Sequence, residues 1–175
     1  MKNTRIKKLC RLALLCALAI ALSALEGIFA PLLPPGAKAG LSNVIVMFAA
    51  MTAGFPATLA IVLFKATFAL ITRGAVSFLL SLAGGLGSAI LLYLLFRFSR
   101  RLGLFGISVL GALFHSLLQI AVSALLYGTA VFAYAPLLLA LSVPSGLITA
   151  AALRAADYFI ARKTSERSCF NERSL

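Results

Sequence analysis

The sequence predicts an all-α integral membrane protein: a six-helix transmembrane bundle with both termini cytoplasmic. Three observations carry that prediction. Of 175 residues, 62% are hydrophobic and 11% charged, where soluble domains carry about a quarter charged residues. The apolar residues form runs of membrane length, and the chain has room for about six crossings of roughly 20 residues and no separate soluble domain. The formal charge of +12 is gathered at the two ends and in one middle loop beside apolar runs. That is the pattern of cytoplasmic membrane flanks, not of a nucleic-acid-binding stripe. The expected spans are 9–30, 38–54, 56–72, 76–96, 104–127 and 134–160, with a basic cytoplasmic tail at 161–175.

The first span follows Lys2, Arg5, Lys7, Lys8 and Arg11, which hold the N-terminus on the cytoplasmic side. A secretory signal peptide shares this outline, but the apolar run continues past the small residues around Ser23 and further spans follow. Ala13, Ala17 and Ala21 recur every four residues and make a shallow groove where another backbone can approach closely. Glu26 falls about half a turn around from that groove, near the external end. The prolines of Pro31-Leu-Leu-Pro-Pro-Gly36 then enforce an apolar external loop that could lie over a pocket as a lid.

The second run, from Leu41 to Ala53, is short for a crossing and carries Asn43 at its outer end, where Ser42 or Asn43 could also serve as a helix cap. Gly54-Phe-Pro56 reads as a tight turn into the third span. Lys65 lies near the middle of that span. A lone ammonium at such depth costs about 2.5–3.5 kcal/mol on insertion scales, so an anionic partner, water or a ligand is expected beside it. Arg73 follows at the outer end, where headgroup contact is the alternative to ligand contact.

In the fourth span Ser77, Ser81, Gly85 and Ala89, widened by Gly84 and Ser88, form a small-residue face suited to close helix packing. Arg97, Arg100 and Arg101 bring the chain back to the basic side. The fifth span contains the only histidine. At 100° per residue, Ser108, Ala112, His115, Gln119 and Ser123 share one polar seam within an otherwise apolar helix. An imidazole and a carboxamide facing lipid would each cost several kcal/mol, so the seam should face other helices or a wet cavity. The sixth span is expected to be interrupted at Pro144-Ser-Gly146, and Arg154 and Asp157, one turn apart, are placed to pair.

The chemistry is that of binding. Four acidic residues, Glu26, Asp157, Glu166 and Glu172, are too scattered for an acidic magnesium–diphosphate site, and no nucleophile, base and orienting group can be assembled. Cys10, Cys16 and Cys169 have no metal-ligand spacing. No catalytic residue, metal or cofactor is therefore expected. There is no nucleotide-binding motif either, so any ATP that drives transport is hydrolysed by another chain. Glu26, Asn43, Lys65, Arg73, His115 and Gln119 crowd the outer half of the expected bundle. They are the ligand-binding candidates, and the surplus of cations favours a small anionic or strongly polar molecule.

The segments Gly40-Leu-Ser-Asn-Val-Ile, Ser81-Leu-Ala-Gly-Gly and Gly111-Ala-Leu-Phe-His-Ser-Leu-Leu-Gln resemble those of the Gx transporter family, also called heptaprenyl diphosphate synthase component I, over nearly the whole chain. That family is similar to the S components of energy-coupling factor (ECF) vitamin importers. The resemblance implies a multi-pass protein of a bacterial-type plasma membrane with an outward-facing pocket beneath the first external loop. It also implies a transmembrane coupling subunit and two ATPase subunits as partners. Carried over, Ala13, Ala17 and Ala21 become the docking groove, and Asn43, His115 and Gln119 the pocket. His115-Ser116 and Ser42-Asn43 stand where relatives often read His-Asn and Ala-Asn, which changes the polarity near the histidine. A non-catalytic membrane component of heptaprenyl diphosphate synthesis and a stand-alone secondary transporter are the alternative readings.

Overall fold

A computed structural model describes residues 2–29, 41–98 and 102–172. The expected lid with Leu32, Leu33 and Lys38, and the basic pair Arg100 and Arg101, lie outside the described residues, as do the side chains of Asp157 and the basic tail. The described residues fold into six α-helices: α1 (Lys2–Phe29), α2 (Leu41–Thr52), α3 (Phe55–Arg73), α4 (Ala75–Phe98), α5 (Leu104–Tyr127) and α6 (Ala135–Glu172), with a short 3₁₀ helix at Thr129–Ala133. Five of them contain stretches long and apolar enough to cross a membrane: Arg5–Ile28, Phe55–Arg73, Ala75–Phe98, Leu104–Tyr127 and Ala135–Ala156.

Three turns owe their sharpness to glycine. Gly54, Gly74 and Gly128 have φ of 84°, 85° and 77° with extended ψ, a region open essentially to glycine alone that costs an L side chain about 1–3 kcal/mol. At Gly74 a single residue separates α3 from α4, and its N–H closes the end of α3 by bonding to the Leu70 carbonyl.

Successive helices run antiparallel. Phe55 stacks on Tyr93 across α3 and α4, Gly84 meets His115 and Gly111 meets Leu92 across α4 and α5, and Gly146 meets Val109 across α5 and α6. One end of the bundle thus gathers the start of α1, Gly54, Arg97 and the end of α6, so the basic residues collect there. The opposite end holds Glu26, Gly74 and Gly128.

The helices α1, α3, α4, α5 and α6 contact one another in that order, and α2 touches α1, α3, α4 and α6. The second helix therefore sits inside an arc of the others. This accounts for its length. Within the expected span 38–54, of which 38–40 lie outside the described residues, α2 has 12 residues and is about 18 Å long, too short by itself to cross a bilayer core of about 30 Å. Protein, not lipid, surrounds much of it: Ser42, Val46, Met47 and Ala49 are all buried, so its ends need not match the hydrocarbon thickness. A core of Leu15, Cys16, Ala19, Val46, Ala49, Ile61, Val62 and Ala89 ties α1, α2, α3 and α4 together.

The small face of α4 is a packing surface. Ser81, Gly84, Gly85, Ser88 and Ala89 are buried, and a Cβ on Gly85 would come within 2.7 Å of Val62 Cγ1. At Pro144, where the sequence predicts a kinked or opened helix, the helix is not broken. Helix α6 runs through it, with the Pro144 ring on the exposed side and the next turn held to α5 by the Ser108 hydroxyl, which donates to the Gly146 carbonyl at 2.6 Å.

Candidate functional site

A polar layer crosses the bundle toward the end away from the basic flanks. Glu26 from α1, Ser42 and Asn43 from α2, Lys65 from α3, Ala112, His115, Ser116 and Gln119 from α5, and Ser142 and Ser145 from α6 line one small cavity. Five of the six expected ligand-binding residues are brought together here. Glu26, Lys65, His115 and Gln119 are each at least 96% buried, so none of them faces lipid.

The charged pair is bridged by two consecutive residues of α2. The Glu26 carboxyl accepts the Ser42 backbone N–H at Oε1 and the Ser42 hydroxyl at Oε2, both at 3.0 Å. A side chain from α1 thereby satisfies an orphan donor in the first turn of α2 and places negative charge at its positive end. One residue on, Asn43 Oδ1 accepts a hydrogen bond from Lys65 Nζ at 2.9 Å. Lys65 also lies within electrostatic range of Glu26 and of Arg73. This network supplies the partner that an ammonium at mid-membrane needs.

On α5 the seam is buried along its length: Ser108, His115, Gln119 and Ser123 are all below 6% exposed. His115 Nδ1 lies 3.4 Å from Ser88 Oγ, and Gln119 Nε2 donates to the Leu80 carbonyl at 3.4 Å. Gly84 makes room for both residues. A Cβ there would stand 2.9 Å from His115 Cε1 and 3.0 Å from Gln119 Cγ. Gly84→Ala is accordingly expected to cost about 1–3 kcal/mol by overpacking. Gly27→Ala, with nothing within 4 Å of the new methyl, should be neutral or stabilising by up to about 1 kcal/mol. Thermal midpoints of the two variants in detergent check the contrast.

The free space is small. The cavity measures about 10 Å³, on the order of a single water, and a neighbour of about 20 Å³ shares Asn43 and Ala112 with it. Among the described residues no buried side-chain N or O atom lacks a partner. The described polar atoms of the site are thus satisfied within the protein, and anything larger than water has to displace protein–protein bonds to fit.

Arg73 lies elsewhere. Its Nη2 donates to Ser23 Oγ at 3.0 Å, and with Ala24, Gly27, Ile28, Phe68 and Thr72 it lines a separate groove of about 270 Å³ between α1 and α3. On the other face of α1, Ala13, Ala17 and Ala21 are exposed, while Leu15, Ala19, Ser23 and Glu26 point inward.

Sequence reasoning passed over Ser142 and Ser145 as site residues. With Thr149 they form a polar stripe at i, i+3 and i+7 on α6, the periodic signal that marks them. Ser88 was read only as part of a packing face.

The family model for heptaprenyl diphosphate synthase component I matches residues 15–156. The chain belongs to that family. The matched stretch contains every residue of the polar cavity, from Glu26 to Ser145, so the site lies wholly within the part this synthase component I family shares. No curated protein and no solved structure matches the chain significantly.

Proposed function

We propose that this family member is a non-catalytic, membrane-embedded binding subunit, the S component of an ECF-type importer. It takes up a small anionic or strongly polar nutrient or precursor, and a transmembrane coupling subunit with two ATPases supplies the energy. The observation that carries this reading is the convergence of Glu26, Asn43, Lys65, His115 and Gln119 from four helices on one cavity in the half of the bundle away from the basic flanks. With those flanks cytoplasmic, the cavity lies in the external half. The closed network then describes the resting state, and a carboxylate or phosphate takes Asn43's place on Lys65 Nζ. The exposed stripe of Ala13, Ala17 and Ala21 suits a close-packed coupling helix.

The family's name supports a second reading, a non-catalytic membrane partner in heptaprenyl diphosphate (isoprenoid quinone) synthesis. Affinity purification from native membranes separates the two. Recovery of a coupling subunit and two ATPases supports the first reading, and recovery of a soluble, acidic-rich synthase supports the second. Uptake by proteoliposomes containing this chain alone would overturn both in favour of a secondary transporter.

For the site itself, native mass spectrometry of the purified protein identifies the small molecule it retains. Lys65→Met is expected to weaken its binding at least about tenfold, since a hydrogen bond to a charged group contributes roughly 1.5–3 kcal/mol. His115→Leu should also weaken it. Unchanged affinity in both folded variants would refute the pocket assignment.

A further inference from the structure

A second groove is far larger than the polar cavity. It lies at the basic end, between the first turns of α1 and the α2–α3 turn, and encloses about 600 Å³, within the roughly 300–1,000 Å³ of sites that hold drug-sized ligands. Arg5, Lys8 and Arg11 line it, with Leu9, Leu12 and Pro56 among its apolar walls. The three cations recur at i, i+3 and i+6, so they follow one stripe of α1, whereas Lys7 lies on the same turns but does not line the groove. Among the described residues no acidic side chain lines it either. Three like charges at this spacing repel one another, so an anion that neutralises them is favoured in the groove.

We propose that this groove binds an anionic phospholipid, its phosphate held by Arg5, Lys8 and Arg11 and its first acyl carbons lying on Leu9 and Leu12. Guanidinium groups suit phosphate because their fixed donors pair two at a time with its oxygens. A lipid, not a soluble anion, fits the rest of the geometry. Leu9 is 68% exposed and lines the groove beside Leu12, so a chain anchored at the cations meets an apolar surface next to them. The groove stands at the end of a membrane-length helix, the level at which headgroups lie.

The test titrates the detergent-purified full chain with phosphatidylglycerol or phosphatidylcholine of matched acyl chains and reads bound lipid by native mass spectrometry. Phosphatidylglycerol should be retained preferentially. Lys8→Gln/Arg11→Gln should reduce that retention by on the order of tenfold or more, given the usual contribution of each cation near a charged surface. Lys7→Gln/Arg97→Gln, which removes the same charge from the same end outside the groove, should leave it unchanged. Ala57→Trp fills the groove without altering charge and should also abolish the preference, which keeps the test decisive if the charge variant fails to fold. Equal retention of the two lipids, equal losses in the two double variants, or complete displacement of phosphatidylglycerol by inorganic diphosphate would each overturn the proposal.

Discussion

Replacing Glu26 with leucine is expected to be among the most damaging single changes in the bundle, lowering stability by about 3 kcal/mol or more, the usual effect of stranding one member of a buried charge pair. The variant removes the acceptor for the Ser42 N–H and hydroxyl together and leaves Lys65, 4% exposed, with only the neutral Asn43 carbonyl at hydrogen-bond distance. The effects are not symmetric. In Lys65→Met the carboxyl keeps both bonds from Ser42, so that variant should lose much less. In Glu26→Leu/Lys65→Met both charges are gone, and part of the loss should be recovered, since replacing a buried ion pair by apolar groups is often near neutral. Thermal unfolding of the wild type, both single variants and the double variant in one detergent measures the cycle. If the double variant loses as much as the sum of the singles, the two charges are not coupled and the bridge through Ser42 and Asn43 has no energetic meaning.

The same bridge shows what could be read in the sequence and what could not. The polar seam of α5 was legible because it is a property of one helix: Ser108, His115, Gln119 and Ser123 share a face by helical periodicity alone, and the fold buries that face. Lys65 was legible as a cation in need of a partner. Its partner was not, because the pairing of residues 43 and 65 depends on how α2 lies against α3, and no local pattern encodes that crossing. Helices α3, α4 and α5 are set off by Gly54, Gly74 and Gly128, turns where hydropathy falls. Helix α2 was the hardest to read. A 12-residue apolar helix looks like half a crossing until the arc of helices around it is known. Arg73 was grouped with the site by its depth in the membrane, and depth says nothing about direction: its guanidinium turns to Ser23 and a different groove. Most of the site's definition thus rests on helix–helix geometry, which is why the close contacts that set that geometry have large consequences.

Gly146→Val should have the largest effect of any substitution at those contacts. A Cβ at this position would lie 2.7 Å from Val109 Cα, 3.1 Å from Val109 N and 3.2 Å from the Ser108 carbonyl oxygen. All three are backbone atoms, so no side-chain rotation relieves the clash, and α5 and α6 must separate. Separation also breaks the 2.6 Å bond from Ser108 Oγ to the Gly146 carbonyl and strands a hydroxyl that is 3% exposed. Overpacking costs about 1–3 kcal/mol and an unpaired buried hydroxyl about as much again, which together lower the thermal midpoint by on the order of 10 °C. Gly146→Ala should show a smaller drop of the same kind. Gly106→Ala, about one and a half turns before Gly111 on α5, is the control: its new methyl would meet only Leu102 Cδ2 at 3.6 Å, an ordinary contact. Ser108→Ala isolates the hydrogen bond and should account for part of the loss in Gly146→Val. Because Ser145 lines the polar cavity one residue before Gly146, the separated helices should also widen that cavity, and small polar molecules should exchange faster in Gly146→Ala than in the wild type. A Gly146→Val protein as stable as the Gly106→Ala control would mean that α5 and α6 do not cross at this glycine.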